Sequence, residues 1–430
     1  MTNTVAGAKA RASAAAPAPK KSRRDRLIDE AARHLNMHSV TDSSLRDIAA
    51  ELGISRAALY YYIEDREDLV FQVYRRTCEL LARHLGEAVA ARSDALDVVQ
   101  TFVARAVSPD EPELVALNEM GVLRDTDRET ILALYEGVVS RLTGILEAGA
   151  ATGDIRACDF PVVARTILSL ILGAAVMIRW PMDGVDLPQL DRKLFADTLT
   201  DILANGWVVD RRAKINPPVI DLSPLQPRTV AAFDRKGLAA AKRDQILLTA
   251  SRLFNRKGVD GTSLDEIAAE LSATKRTLYQ YVGDKQAIVS ACYGRVVDQS
   301  GYMQAQLDIQ RRSGAPVLDC FVSQQRAGAL MSMSEDVEFL RLTTSYTNLP
   351  EAEKAKIKAI GAEWFRLFKR LLEGLYQEGV VRDVNQNYLL MQMPLAPNWL
   401  ARSTVDADPH RKIEIAAEIH DVLRLGLKPL

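Results

Sequence analysis

The chain repeats itself. Shifted by 219 positions, Asp25–Val70 lies on Asp244–Val289 without a gap, and 17 of the 46 aligned pairs are identical. They include Ser44/Ser263, Leu45/Leu264, Ile48/Ile267, Ala49/Ala268, Glu51/Glu270, Leu52/Leu271, Leu59/Leu278, Tyr60/Tyr279, Tyr62/Tyr281 and Asp65/Asp284. A weaker echo at a shift of 226 sets Leu146, Glu147, Gly153 and Arg156 on Leu372, Glu373, Gly379 and Arg382. The second unit is therefore a full copy with roughly seven extra residues, and the period is far above the roughly 20–50 residues of solenoid arrays.

This divides the 430 residues into two units of about 200 each. Residues 1–24 are rich in Ala, Pro and Ser and carry Lys9, Arg11, Lys20, Lys21, Arg23 and Arg24 with no acid, which predicts a disordered basic tail. Residues 213–235 hold Pro217, Pro218, Pro224 and Pro227 and read as a semi-extended linker. Each unit opens with a short domain, 25–72 and 236–289, and continues in a longer one, 73–212 and 290–430.

Composition narrows the class. Apolar residues make up 48% and charged residues 26%, enough to build a core in each unit, while aromatics at 6% and abundant Ala and Leu favour helices. Lys+Arg is 55 against Asp+Glu 56, a net charge of −1, which excludes an overall basic coat but not a local nucleic-acid face. Cys78, Cys158, Cys292 and Cys320 form no CxxC pair and the five histidines no cluster, so no disulfide framework and no metal site is expected, in a reducing cytoplasm. The longest apolar run, Thr166–Ile178, has 13 residues. That is short of the roughly 20 needed to cross a bilayer and reads as a buried helix. No hydrophobic signal core opens the chain, so secretion is not expected. Nucleophile-elbow, zincin, P-loop and dinucleotide patterns are absent, so neither enzymatic activity nor a cofactor is expected.

The repeated segment spells three short helices. In copy 1, Arg24–Met37 carries Leu27, Ile28, Ala31, Ala32 and Leu35 on one face. Ser44 then caps a helix with Asp47 three residues later; copy 2 has the fuller capping box Ser263…Glu266. Leu45, Ile48, Ala49 and Leu52 form its buried stripe, and Gly53 stands at the left-handed C′ position. Ser55, or Thr274 in copy 2, caps a third helix whose Leu59 and Tyr62 turn inward. Two short helices around a Gly-containing turn are the helix-turn-helix pattern, whose second helix enters a DNA major groove. A plain αα-hairpin is the alternative, and two matched copies count against it.

These residues resemble the TetR family of bacterial transcriptional regulators. Copy 1 reads SLRDIAAELGISRAALYYYIEDREDL and copy 2 SLDEIAAELSATKRTLYQYVGDKQAI. Departures from the family pattern are Ile63 and Val282 for Phe, Arg66 for Lys, and Ser272 for the turn Gly. The resemblance implies an all-α chain of two tandem units, each a three-helix DNA-binding domain followed by a helical ligand-binding and dimerisation domain. It implies that Ser43, Ser44, Thr262 and Ser263 hold phosphates, with Tyr60, Tyr279, Arg66 and Lys285 on the DNA backbone. Base reading then falls to Ser55, Arg56, Ala57 and Tyr61 in copy 1 and to Thr274, Lys275, Arg276 and Gln280 in copy 2. For Tyr60 and Tyr279 core packing is the alternative role, and for Arg56, Lys275 and Arg276 a solvated face.

Charge divides the copies. Residues 236–289 hold nine Lys/Arg against six acids, whereas residues 25–70 hold five against ten, which the basic tail would offset. The longer domains show helical patterning only. The resemblance implies dimerisation through two late helices, matched here to about 128–151 with 161–180 and about 352–378 with 385–404. Met120, Met177 and Trp180 in copy 1, and Met331, Met333, Trp364, Met391 and Trp399 in copy 2, are candidate linings for a small-molecule cavity; core filling is their other role. The expected partners are double-stranded DNA and an unidentified small-molecule effector, with no membrane. One chain supplies both copies, so an intramolecular pseudo-dimer is expected, with a dimer of chains as the alternative. The other function class is a small-molecule or protein-binding module with one decayed DNA-binding unit.

Overall fold

The computed structural model describes residues 22–179, 191–227, 234–259, 261–341, 350–400 and 407–430. Among them the chain is helical, apart from one isolated antiparallel bridge between Val208 and Val381. Copy 1 comprises α1 (Arg23–Asp42), α2 (Leu45–Glu51), α3 (Arg56–Leu59), α4 (Arg66–Ala91), α5 (Ala95–Val107), α6 (Asp125–Thr152), α7 (Phe160–Arg179) and α8 (Arg192–Asn205). Copy 2 comprises α9 (Arg235–Lys257), α10 (Leu264–Glu270), α11 (Lys275–Tyr281), α12 (Lys285–Arg312), α13 (Val317–Met333), α14 (Glu351–Gln377), α15 (Gln386–Gln392), a 3-10 turn at Ala396–Trp399, and α16 (Pro409–Leu425).

Capping explains where the helices begin. Ser22 and Asp25 close a capping box that starts α1 at Arg23, so Arg23 and Arg24 belong to a helix, not to the tail. Arg24 is further held by donating to Gln72 Oε1 at 3.1 Å. The other tail cations, Lys9, Arg11, Lys20 and Lys21, lie outside the described residues. Leu27, Ile28, Ala31, Ala32 and Leu35 are all buried, as their spacing requires.

The linker is not a free spacer. Ile220 is buried against Met303, Ala327, Met331 and Val337, Tyr302 donates to the Asp221 carbonyl at 2.5 Å, and Asp319 accepts from the Asn216 amide at 3.2 Å. Its described first half, 213–227, thus docks on α12 and α13 of the second copy.

The copies meet across a pseudo-two-fold axis, and the contacts come in reciprocal pairs. The Arg156 amide donates to the Leu427 carbonyl at 2.8 Å, and the Arg382 amide to the Trp207 carbonyl at 2.9 Å. The Trp207 amide donates to Leu423 at 3.2 Å, and the Leu427 amide to Leu203 at 2.8 Å. The Arg156 guanidinium reaches the Gly426 carbonyl at 2.7 Å and Glu418 at 2.8 Å; that of Arg382 reaches the Gly206 carbonyl at 2.6 Å and Asp201 at 3.1 Å. Such reciprocity is the mark of an isologous interface. Gly206 (φ 70°) and Gly426 (φ 68°) face each other where the backbones nearly touch: a Cβ on Gly206 would sit 2.2 Å from the Arg424 carbonyl oxygen.

The interface helices differ in part from the expected pair. α7 and α8 of copy 1 pack on α15, the following 3-10 turn and α16 of copy 2, whereas α6 and α14 pack within their own copies. The last helix takes the place of the earlier one: α6 packs one face on α4 and α7 of its own copy and leaves the other, with Leu132 and Leu134, exposed. Among the described residues no helix is long and apolar enough to cross a membrane.

Candidate nucleic-acid interface and ligand cavity

Both helix-turn-helix units are built as their capping residues dictate. Ser44 Oγ accepts from the Asp47 amide at 3.1 Å, and Ser263 with Glu266 forms the complete box. Gly53 takes φ 63°. Its counterpart Ser272 takes φ 50°, the one non-glycine at positive φ among the described residues, so copy 2 keeps the turn geometry at the cost of a strained serine.

The recognition segments then part. Ser55 caps α3, accepting from Ala58 at 3.1 Å, but α3 ends after a single turn of four residues. Thr274 caps α11, accepting from Thr277 at 3.3 Å, and α11 runs for seven. Leu59 and Leu278 are fully buried and anchor the two segments. Outward, Arg56, Ala57, Tyr61, Lys275, Arg276 and Gln280 are all exposed, Tyr61 at 89%. Arg56 donates to Tyr60 Oη at 3.1 Å and lies 5.8 Å from the Tyr60 ring centroid, while Lys275 pairs with Asp265 at 3.2 Å. Tyr60 and Tyr279 are 44% and 52% exposed, so neither is a core residue.

Two expected phosphate contacts need correction. Ser43 and Thr262 are buried, and the Thr262 hydroxyl donates to the Gly258 carbonyl at 2.9 Å, so these residues close the end of the preceding helix rather than face outward. Ser44 and Ser263 remain exposed. Arg66 is part-buried, with its guanidinium donating to the Val40 carbonyl. Lys285 occupies the same first position of α12 and is half-buried.

Electrostatics separates the units further. Around Arg66 stand Glu64, Asp65, Glu67 and Asp68; Arg124 reaches across to Asp65 at 2.5 Å and to Glu67 at 3.6 Å. The copy 2 equivalents are Gly283, Asp284, Gln286 and Ala287. The Glu266 carboxyl is held below its usual range by the Lys257 ammonium and the Ser263 cap. The two heads are not independent: the Glu119–Gly121 segment of copy 1 lies against the end of α9, where a Cβ on Gly121 would sit 2.4 Å from Lys257 Cβ.

The longer domains also differ. Copy 2 holds a half-open cavity of about 260 Å³ between α12, α13 and α14, bordered by Leu390, Met393, Pro394, Pro397 and Asn398 and by Met177 of copy 1. Met331 and Trp364 line it, with Gln299, Ser300, Gln324, Gln325 and Arg341. Met120 and Trp399 line a separate cavity of about 120 Å³ between α6 and α7. Met333 and Met391 are buried but on neither wall, because their side chains fill core instead. Trp180 lies outside the described residues. The glutamines carry no apolar or size signal of the kind that marks Met and Trp. Their signal was in the repeat: Gln299, Ser300 and Met303 stand where copy 1 has Leu80, Leu81 and His84.

No thiol is activated. Burial pushes Cys78 and Cys158 up to about 12 and Cys292 to about 11.

Comparison with known proteins agrees with the geometry. Residues 27–73 and 246–292 each match the family described as bacterial regulatory proteins, tetR family. An uncharacterised HTH-type transcriptional regulator of Mycobacterium tuberculosis is 26% identical over 162 residues, spanning 35% of this chain and 67% of the relative. The Staphylococcus aureus negative regulator of the biofilm operon icaADBC, IcaR, is 20% identical over 196 residues, spanning 43% of this chain and 99% of IcaR. Among solved structures, AibR in complex with isovaleryl coenzyme A and operator DNA is 21% identical, covering 42% of this chain and 97% of its own at a TM-score of 0.35. The ketosteroid regulator KstR2 of Mycobacterium tuberculosis is 20% identical, covering 42% and 92% at 0.33. With both helix-turn-helix units matched, the chain belongs to the TetR family of bacterial regulatory proteins, as two fused copies in one polypeptide.

Proposed function

We propose that the chain is a cytoplasmic, ligand-responsive transcriptional repressor that occupies its operator as an intramolecular pseudo-dimer. The observation that carries this is the reciprocal interface: the contacts that would join two subunits are satisfied within one polypeptide. A two-fold pair of helix-turn-helix units addresses half-sites about one helical turn of DNA apart. Repression is favoured by the relative IcaR, a negative regulator by name.

In this reading, Lys275, Arg276 and Gln280 on the two-turn α11 read bases, and Ser263, Tyr279 and Lys285 hold phosphates. Copy 1 offers Ser44, Ser55, Arg56, Ala57, Tyr60 and Tyr61 on a shorter helix among acids, so its half-site is different and weaker. The acids and the single-turn α3 also favour a second reading, in which copy 1 has lost DNA binding and only copy 2 reads.

The effector acts through α12. That helix carries Val296, Gln299, Ser300 and Met303 on the cavity wall and Lys285 at its first turn, so a molecule in the cavity shifts one rigid element that ends at the DNA. Selection of bound duplexes from a random pool by the purified chain is expected to return two unequal half-sites. Perfect palindromes would sink the pseudo-dimer reading, and single half-sites would support the decayed-unit reading.

A further inference from the structure

We propose that the turn at Glu119–Gly121 of copy 1 is a spacer between the two DNA-binding heads. Gly121 is thereby a positioning residue that sets the distance between the two operator half-sites. This rests on the pseudo-dimer reading above.

The turn grips both heads at the same place. Val40 and Val259 match at the shift of the repeat, and each precedes the cap of the second helix of its head, Ser44 or Ser263. In copy 1, Glu119 Oε1 accepts from the Val40 amide at 3.1 Å, and the Arg66 guanidinium donates to the Val40 carbonyl. Glu119 is buried and is tied to α4 as well, its amide donating to Tyr74 Oη at 3.3 Å. The stem of the same side chain rests on copy 2. A Cβ on Gly258 would sit 3.0 Å from Glu119 Cγ, and one on Gly261 would sit 2.7 Å from the Gly121 carbonyl carbon. Directly after Gly261 come Thr262, whose hydroxyl donates to the Gly258 carbonyl at 2.9 Å, and Ser263, the cap of α10. A displacement at Gly261 is therefore passed to α10 within two residues, and α10 packs on α11.

The copies differ where this contact needs room. Lys257 matches His38, but α1 continues to Asp42 whereas α9 stops at Lys257, with Gly258 at φ 88°. Gly258 and Gly261 stand where copy 1 has Ser39 and Asp42. A Cβ on Gly121 would meet Lys257 Cβ at 2.4 Å and the Lys257 carbonyl oxygen at 2.6 Å, and a backbone carbonyl has little room to yield. Three glycines thus converge where the backbones of the two copies pass, an approach that a side chain would block. The reciprocal bonds of Arg156, Trp207, Arg382 and Leu427 join the longer domains. A direct tie between the heads is what adds a fixed separation of the reading helices, which B-DNA demands at about 34–36 Å per turn.

Selection of bound duplexes from a random pool, run on the full chain and its variants, tests this. The wild-type chain should return two half-sites at one spacing, with affinity about tenfold lower when one base pair is inserted between them. Gly121→Ala and, from the other side, Gly261→Ala should keep both half-site sequences and return them at several spacings. The loss on inserting one base pair should then shrink to about threefold. Gly144→Ala, where a Cβ meets nothing within 4 Å, should select as the wild type does. A folded Gly121→Ala chain that keeps the wild-type spacing, or one that changes the half-site sequences, would overturn the spacer and leave the pseudo-dimer standing. Loss of the cooperative thermal transition in both alanine variants would also overturn it, because the contact would then belong to the fold itself. Palindromes or single half-sites from the wild-type chain would remove the pseudo-dimer reading and the spacer with it.

Discussion

The two recognition segments start from matched residues and finish differently. Each begins at a hydroxyl cap, buries one leucine and presents an outward tyrosine, yet α3 stops after four residues and α11 continues for seven. Of the four positions flanking Arg66 all are acids, and of those flanking Lys285 one is. At the interface the copies remain interchangeable, carbonyl for carbonyl. Residues that meet the other copy share their geometry, while the outward faces of the recognition segments differ between the copies. A homodimer has no such freedom, since every change is applied to both halves at once.

The largest effect should come where the copies are equivalent. Gly206→Ala and Gly426→Ala should each destabilise the chain by about 4 kcal/mol, backbone strain adding to a clash with a fixed carbonyl. Denaturant unfolding would read both; unequal losses would show that the pseudo-symmetry is not energetic. At the DNA face the copies should separate. Lys275→Ala with Arg276→Ala should weaken operator binding about 100-fold and Arg56→Ala only about threefold, because two cations are lost in the first case and one, already donating to Tyr60, in the second. Equal losses in a gel-shift titration would restore two equal readers.

Acid should act on both copies, since burial holds the His84 imidazole of copy 1 below its usual range too, but through different positions. Burial holds the His420 imidazole down at about 4, while the counterpart position carries Thr200, which does not titrate there. The unfolded chain takes up this proton near pH 6.5 and the folded one does not until about 4. Stability is therefore complete above pH 6.5 and lost as pH falls, by about 2 kcal/mol between pH 7 and pH 5. Unfolding curves of His420→Gln should show a flatter slope over that range; an unchanged slope would place the acid sensitivity elsewhere. The smallest contrast lies in the turns. Ser272→Gly should stabilise by about 1 kcal/mol and Gly53→Ser destabilise by the same, measured as shifts of the thermal midpoint.

Much of this was legible in the residues, and what was not has identifiable causes. The capping serines, the turn glycine and the buried stripes are local rules, read over three or four positions, and the backbone follows them. Ser43 and Thr262 misled because adjacent hydroxyls look alike until the helix end that consumes one of them is seen. The interface pairing was half-read: α7 shows an apolar run, but α6, with Leu132 and Leu134 on its open face, carries as apolar a stripe as α8, which does meet the other copy. The cavities were read in part: Met177, Met331 and Trp364 line the larger one and Met120 and Trp399 the smaller, whereas Met333 and Met391 fill core, and the wall glutamines carry no signal of size.

The reciprocal contacts of Arg156 and Arg382 have a consequence for inheritance. Subunits of an ordinary dimer mix, so a damaged allele poisons the product of an intact one. Here the halves that belong together are translated together, and assembly does not depend on how much protein the cell makes. A defect at this interface would stay within the chain that carries it.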